Sequence, residues 1–372
     1  MVIKAYKFKI RPPSKRVALI FEQTLDVCRE LYNSALRERI DAYHLNGKSV
    51  SYQEQQKQLK EIKLIRNDVA AVYSQVLQDT LRRLSRTFDA FFQRCLRGER
   101  RAGFPRFKSK NRYNSFTYPQ SGFRLEGNKL MLSKIGSVRL RLSRQIEGKI
   151  KTCSIKKQVD GWFVIFTVEE NQCPYVAKTG DSIGVDVGLE NFATLSTGEI
   201  IENPRYLRKA SRELKIAQRK MCKKKLRSSN RRKAARILAR KNQKVTNQRQ
   251  DFFYKLSNKL IREFDEIAVE DLNIKGLLKN HQLAKSITDA AWSTFLKILT
   301  FKAESAGRRV WKVPPQYSSQ ECSACGNRVK KSLSVREHRC EACGLILSRD
   351  HNAAINILGR ADLLARVKAV TR

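Results

Sequence analysis

The chain has 372 residues, and its 76 Lys and Arg against 35 Asp and Glu leave a formal charge of +41. Because so large an excess repels itself, a polyanion is the expected partner, with nucleic acid favoured over an anionic membrane. The longest apolar run, FVIFTV at 163–168, is far shorter than the roughly 18 residues of a membrane span. The first residues lack a signal peptide's apolar core, so we expect a cytosolic protein.

The first half of the chain changes from helical to strand periodicity. An alternating strand at the N-terminus is followed by a break, PPS at 12–14, and by two amphipathic helices, the second with an apolar stripe over 77–95. From about 103 to 170, short alternating runs separated by Gly and Asn turns are typical of antiparallel strands. We predict a small β-barrel in residues 1–175, interrupted by a helical insertion at about 14–100.

A second domain, residues 181–372, is predicted after a linker at 175–181. It opens with a hairpin at 182–201, and residues 205–244 then hold 18 Lys or Arg and one acid. Recurring Leu and Ile residues favour an ordered helical hairpin here over a disordered tail. We expect separate elements to follow: the apolar helix DFFYKLSNKLIREF, the strand EIAVEDLN, a helix at about 285–306, the strand RVWKVPP and a helix from Asp350. Strands that precede helices indicate an α/β layer fold.

Four of the nine cysteines form two CxxC pairs. Cys322 and Cys325 are followed, after 14 residues, by Cys340 and Cys343. In a reducing cytosol this spacing favours a metal site over disulfides. Four sulfurs complete a tetrahedral zinc shell and leave no open position, so the predicted Zn²⁺ is structural, in an insert at about 316–346.

Three acids stand beside small residues in the second domain. Strand alternation puts Asp186 on one face with Gly184 and Gly188, and Glu270 beside Ala268, while Asp350 begins the last helix. We interpret the small neighbours as room for a metal ion and a phosphodiester. Singly, each acid could be a solvated strand end or a helix cap. Together they are typical of a two-metal Mg²⁺ site for phosphodiester hydrolysis.

Five segments resemble one known family: GVDVGLENFATLS, RQDFFYKLS, AVEDLNIKGL, SSQECSACG and SRDHNAAINIL. The chain is similar to TnpB, the RNA-guided nuclease of bacterial insertion sequences, which is related to compact type V CRISPR effectors and is often labelled a transposase. GFPRFKSK and the N-terminal strand and helix extend the resemblance to the whole chain. It implies an RNase H-like RuvC domain with a zinc-ribbon insertion and with Asp186, Glu270 and Asp350 as its triad. It also implies an N-terminal barrel (wedge) and a helical recognition lobe that hold guide RNA.

The resemblance extends to nucleic-acid contacts. Tyr52 and Gln78 fall where the family contacts the short duplex motif beside the target. The basic stretch at 205–244 is expected to follow the phosphates of the guide–target duplex. Within it, the predicted contacts are Arg219, Lys220, Lys223, Lys224, Lys225, Arg231 and Arg232. In guided systems base pairing carries sequence identity, and the protein reads shape and a short flanking motif.

The expected function is an RNA-guided, Mg²⁺-dependent DNA endonuclease with double-stranded DNA as its target, acting as a monomeric ribonucleoprotein in the bacterial cytosol. The zinc insert is expected to brace Asp350 and to form part of the DNA channel. One alternative is an RNA-guided repressor that binds without cutting, against which the intact acids argue. The other is an unguided, structure-specific nuclease akin to junction resolvases, against which the zinc insert and the basic N-terminal half argue.

Overall fold

The chain divides into two units, Met1–Asn171 and Gln172–Arg372, in a computed structural model that describes residues 2–12, 14–170, 177–332 and 335–370, with side chains as far as 364. The predicted linker at 175–181 begins outside the described residues. In the first unit, seven strands pair antiparallel in the order β2-β6-β7-β1-β5-β4-β3. They are β1 (Val2–Arg11), β2 (Ser115–Tyr118), β3 (Phe123–Glu126), β4 (Lys129–Leu132), β5 (Gly136–Arg141), β6 (Lys149–Gln158) and β7 (Gly161–Glu170).

Four helices stand between β1 and β2 in sequence: α1 (Lys15–Asn46), α2 (Tyr52–Ile65), α3 (Asn67–Ala70) and α4 (Ser74–Leu96). Ser14 caps α1 by accepting from the amide of Val17, and Ser51 forms a capping box with Glu54 at the start of α2. The apolar stripe of α4 is buried in its first three turns, whereas its last member, Cys95, is exposed. The helical insertion therefore shares the core of the sheet only through part of its length.

A mixed five-stranded sheet forms the centre of the second unit, in the order β10-β9-β8-β11-β12. Its strands are β8 (Ser182–Val187), β9 (Asn191–Leu195), β10 (Ile200–Glu202), β11 (Glu266–Glu270) and β12 (Arg309–Val313). The predicted hairpin at the front is present, as β8 and β9. Both β8 and β12 run parallel to β11, so the carboxyl ends of these three strands lie at one edge of the sheet.

The helices of this unit depart from the expected segmentation in two places. The helical hairpin exists as α5 (Tyr206–Cys222) and α6 (Ser229–Glu263), but α6 also contains the apolar segment that we expected to be a separate helix. No Gly or Pro interrupts its 35 residues, so nothing stops the helix. The helix expected at 285–306 is instead two helices, α8 (His281–Ala290) and α9 (Trp292–Ser305), which follow the short α7 (Ile274–Leu277). They are separated at Ala291, whose φ of 52° is left-handed.

The last helix, α10 (Arg349–Val370), covers one face of the five-stranded sheet and begins one residue before the expected start. A two-stranded sheet of β13 (Glu337–Arg339) and β14 (Ile346–Ser348) precedes it. A Cβ built on Gly184 of β8 would lie 2.0 Å from the carbonyl oxygen of Ala354. Ala268 is buried against Ile357 and other residues of the same interface. At Gly184 and Ala268 our interpretation of small residues as room for a metal and a phosphodiester is wrong, because α10 occupies that space.

None of the described helices is long and apolar enough to cross a membrane.

Substitution of Gly184→Ala should destabilise the protein, because the new methyl group would meet the backbone of α10 rather than a mobile side chain. We expect the melting temperature to fall by about 5 °C or more, in line with the roughly 1–3 kcal/mol that overpacking costs. Gly359→Ala is the matched control, since this exposed position of α10 has no atom within 4 Å of the new Cβ. Equal melting temperatures for the two variants in a thermal unfolding measurement would contradict the close approach.

Candidate active site and metal centre

Two of the predicted acids lie side by side where the parallel strands β8 and β11 end. Val185 of β8 pairs with Val269 of β11. Asp186 and Glu270 are the next residues along these strands, so both stand at the carboxyl edge of the sheet. Strand alternation puts Asp186 on the face of Gly184, which is the face that α10 covers. The sheet register thus brings together two acids that are 84 positions apart in sequence.

The third acid reaches the same place on α10. Ala354 lies over Gly184, and Asp350 is four residues, or about 6 Å of helix, before it. Asp186 is two residues, or about 7 Å of strand, beyond Gly184. These matching offsets bring the first turn of α10 towards Asp186, and the charge of Asp350 acts on that residue.

The charges of the other two acids act on Asp186. Burial raises the pKa of Asp186 well above its ordinary value, and the charges of Glu270 and Asp350 raise it further. Arg349 opposes this shift, and its Nε lies 3.3 Å from Oδ1 of Asp350. Among the described residues, these acids do not meet as a set with all ligand atoms within 4.8 Å of one another. Carboxylate oxygens are hard donors, the type of ligand that a divalent cation such as Mg²⁺ prefers.

Glu270 is the most enclosed of the three, with 8% of its surface exposed. Burial raises the pKa of Glu270, while a hydrogen bond from Ser318 and the charge of Arg360 act to lower it. In that hydrogen bond the Ser318 hydroxyl donates to Oε1 of the carboxylate. Ser318 lies just before the first cysteine pair, so the cysteine insert directly contacts an acid of the sheet.

The four cysteines form a compact cluster. Within the described residues, one set of three or more His, Cys, Asp or Glu side chains has all its ligand atoms within 4.8 Å of one another: Cys322, Cys325, Cys340 and Cys343. The Sγ atoms of Cys322 and Cys343 are 3.6 Å apart, as are those of Cys325 and Cys340. Four thiolates at about 2.3 Å from a tetrahedral zinc would be separated by about 3.8 Å. The cluster therefore fits Zn²⁺.

Most of the basic residues predicted to contact nucleic acid are exposed on the α5–α6 hairpin. Arg231 differs, because it is half-buried and its Nη1 donates to the carbonyls of Met221, at 3.2 Å, and Lys224, at 3.1 Å. It thereby caps the carboxyl end of α5 and holds the turn between the two helices. The six exposed members of the predicted set are Arg219, Lys220, Lys223, Lys224, Lys225 and Arg232.

Tyr52 and Gln78 line two neighbouring grooves of the first unit. Tyr52 is half-buried beneath the guanidinium of Arg82, 5.3 Å from the ring centre, in a groove that Arg86 also lines. Gln78 lines the second groove, and Gln53 lines both. The two predicted contacts are therefore near each other, on α2 and α4, but they face separate grooves.

Sequence reasoning missed the polar residues that support the acids. These are Ser318 beside Glu270, Arg349 beside Asp350, and two asparagines on the inner side of α10, Asn352 and Asn356. Asn352 is fully buried. A signal was available, because two asparagines at i and i+4 interrupt an otherwise apolar helical face in DHNAAINIL, and buried amides require hydrogen-bond partners.

Three family models match the chain. One is described as "Probable transposase" and matches residues 164–281, one as "Cas12f1-like, TNB domain" over 292–357, and one as "Helix-turn-helix domain" over 1–48. A Streptomyces pristinaespiralis protein named "Putative RNA-guided DNA endonuclease" is 36% identical over 96% of this chain and 89% of its own length. This chain belongs to the TnpB family.

A second relative of this TnpB-family chain, from Escherichia coli K12, is named "Putative RNA-guided DNA endonuclease InsQ" and is 29% identical over 96% of this chain and 92% of its own length. One chain of a solved structure described as "Cryo-EM structure of the Cas12f1-sgRNA-target DNA complex" is similar to this chain, with a TM-score of 0.59 and 15% identity. The match covers 92% of this chain and 83% of the chain in that structure. That likeness shows a shared fold. The family and the mixed α/β class predicted from the sequence are confirmed.

The matched ranges can be placed on the elements. The "Probable transposase" match contains β8, β11 and the basic hairpin between them, and the TNB match contains all four cysteines and the start of α10. In the described part of residues 1–48, however, the structure has a strand and one continuous helix, α1, rather than two helices and a turn.

Asp186→Asn should stabilise the free protein at neutral pH. An acid whose pKa is raised by folding favours the folded state while protonated, and this contribution is lost as the pH rises through the folded pKa. At neutral pH the carboxylate therefore destabilises the fold, and removal of its charge should raise the melting temperature by roughly 2–4 °C per kcal/mol relieved.

The matched control is Asp251→Asn, which removes the same charge from an exposed position on α6. Thermal unfolding of both variants at pH 7.5 and at pH 4 checks the sign, because the advantage of Asp186→Asn should shrink at the lower pH. A lower melting temperature for Asp186→Asn than for the control would contradict the repulsion inferred here.

Proposed function

We propose that this protein is an RNA-guided, Mg²⁺-dependent DNA endonuclease encoded by an insertion sequence. It would act as a monomeric ribonucleoprotein in the bacterial cytosol and cut double-stranded DNA beside a short duplex motif. One observation carries the proposal: Asp186 and Glu270 end the neighbouring parallel strands β8 and β11, and α10, which starts with Arg349 and Asp350, packs against β8 at Gly184. Two relatives that match nearly the whole chain are named as RNA-guided DNA endonucleases, which supports the same activity.

In this proposal the three carboxylates hold the metal ions. Bound Mg²⁺ would supply a water of lowered pKa and stabilise the leaving oxygen of the phosphodiester. Asp186 would be a metal ligand together with Glu270 and Asp350, whose charges both act on it. Glu270 is held in one orientation by Ser318, and Arg349 offsets part of the negative charge when the site is unliganded.

Nucleic acid would be bound mainly through the basic surfaces. The exposed Lys and Arg residues of the α5–α6 hairpin form a surface suited to phosphates, and Lys223, Lys224 and Lys225 follow one another at its turn. The groove that Gln78 lines combines lysines with polar side chains, and the groove that Tyr52 lines combines arginines with polar and aromatic side chains. Both sets of side chains can contact a duplex motif. Arg231 is assigned to the turn instead, since it caps α5.

The first test is to express the protein with the flanking DNA of its own locus, sequence the RNA that copurifies, and assay cutting with Mg²⁺. The substrate is a plasmid library with a guide-matched target beside randomised sequence. We expect a discrete RNA and guide-dependent cutting. Asp186→Ala, Glu270→Ala and Asp350→Ala should each lower the cutting rate by at least roughly 10³-fold, because they act as one unit.

Asp251→Ala is the matched control, since it removes an exposed acid from the same unit and should cut like the wild type. Guided binding that never leads to cutting would identify a repressor instead. Cutting without a specific RNA would identify an unguided nuclease, and the absence of both cutting and specific RNA would refute the proposal.

We also expect one Zn²⁺ per chain, held by the four cysteines and required for folding of the segment around them. Cys322→Ser should lose the metal and lower the melting temperature, whereas Cys222→Ser, which alters an exposed thiol at the end of α5, should keep both. Metal content by inductively coupled plasma mass spectrometry measures the difference. Wild-type protein without zinc, or a Cys322→Ser variant that retains it, would contradict a zinc site.

A further inference from the structure

Ser318 contacts the most enclosed of the three acids. Its hydroxyl donates to Oε1 of Glu270, and the serine itself is 5% exposed. The neighbouring Ser319 is only half-buried, so the two adjacent serines differ in environment. A carboxylate that accepts a hydrogen bond from a fixed, buried donor loses its freedom to rotate, whereas one in an apolar pocket would keep it.

The backbone around Ser318 is itself held in place. Tyr317, directly before it, has a left-handed φ of 60°, which is uncommon for a residue with a side chain. The guanidinium of Arg328 stacks 3.4 Å from the centre of the Tyr317 ring. On the other side, the amide of Asn356 on α10 donates to the carbonyl oxygen of Ser318 at 2.8 Å. The serine is thus fixed between the cysteine insert and the helix that starts with Asp350.

Two further contacts join the first cysteine pair to α10. The buried amide of Asn352 donates to the carbonyl of Glu321 at 2.7 Å and accepts from the amide of Ser323 at 2.9 Å. Glu321 and Ser323 flank Cys322 in sequence, so the Asn352 side chain is hydrogen-bonded to the backbone on both sides of a predicted zinc ligand. Asn356 also donates to the Glu321 carbonyl, at 2.8 Å.

We propose that Ser318 is a positioning residue that orients the Glu270 carboxylate for metal binding, and that the cysteine insert acts on the acids through it. The proposal rests on the function proposed above, and it makes Ser318 a determinant of metal affinity. Two of the three acids then depend on the insert: Glu270 through Ser318, and Asp350 through Asn352 and Asn356 in its own helix. The insert would set the geometry of the site as well as stabilise the fold.

The test compares Ser318→Ala, Ser318→Thr and the matched control Ser319→Ala as ribonucleoproteins. Three quantities are measured: zinc per chain, the Mg²⁺ concentration for half-maximal cutting, and Mn²⁺ affinity by electron paramagnetic resonance. Mn²⁺ also binds to RNA. This background is measured on each variant with the additional Asp186→Ala substitution and is subtracted from the signal of that variant. Loss of a residue that orients a metal ligand typically weakens metal binding by about 10–100-fold.

We expect Ser318→Ala to keep its zinc. Its Mg²⁺ concentration for half-maximal cutting should rise at least about tenfold, and its Mn²⁺ affinity should fall by at least about the same factor. Ser318→Thr, which retains the hydroxyl, should stay within roughly threefold of the wild type, and Ser319→Ala should be unchanged. A Ser318→Ala protein that binds Mn²⁺ and responds to Mg²⁺ like Ser319→Ala would overturn the positioning role. If the wild type cuts and requires Asp186, that result leaves the proposed nuclease function intact.

A second comparison separates orientation from folding. In a Glu270→Ala background, Ser318→Ala should cause little further loss of Asp186-dependent Mn²⁺ binding, because its effect passes through the carboxylate. The proposal is wrong if Ser318→Ala loses zinc. It is also wrong if Ser318→Ala lowers the melting temperature by the same amount in the wild-type and Glu270→Ala backgrounds, because the serine would then serve the fold alone. A wild-type ribonucleoprotein that neither cuts nor binds Mn²⁺ through Asp186 would overturn both proposals.

Discussion

The contact between the backbone of α10 and β8 at Gly184 is the constraint on which the rest of the site depends. Any side chain at this position would meet the carbonyl of Ala354, so the helix can lie flat on the strand only because glycine is there. The contact also fixes the register of α10 along the axis of β8. Asp350 and Asp186 come together because each stands about the same distance from that contact.

Gathering three carboxylates in this way is unfavourable in the protein alone. Burial and mutual repulsion raise the pKa of Asp186, and the nearby charge of Arg349 offsets only part of that cost. The arrangement is stable because the surrounding elements are held by apolar packing, including Trp311 and Val313 of β12 against Ile357 of α10. A folded scaffold thus maintains a local arrangement that would not form by itself, which is common at functional sites.

The cysteine insert and the acids are one connected assembly in the structure. The insert reaches Glu270 through a serine hydroxyl and α10 through asparagine amides, and every one of these contacts is short and at least partly buried. A zinc cluster is well suited to such a role, because four thiolates on one ion hold a short segment rigidly without a large hydrophobic core.

The sequence by itself was sufficient for the features that depend on local spacing. The two CxxC pairs predict the cysteine cluster, alternation and periodicity predict the β8–β9 hairpin and the α5–α6 hairpin, and five motifs predict the family. It also identified Asp186, Glu270 and Asp350 as candidates, because each adjoins small residues at an element boundary. The sequence predicted element boundaries less well. The structure has one continuous helix, α6, where two helices were expected, and it has two helices, α8 and α9, divided at Ala291, where one was expected.

Only the tertiary structure decided what the small residues and the buried polar residues do. Gly184 and Ala268 make room for α10, not for a ligand, and Arg231 caps the carboxyl end of α5. Ser318 meets Glu270 across 48 positions of sequence. Such contacts join residues that no periodicity relates, since they depend on how helices and strands pack after each has formed.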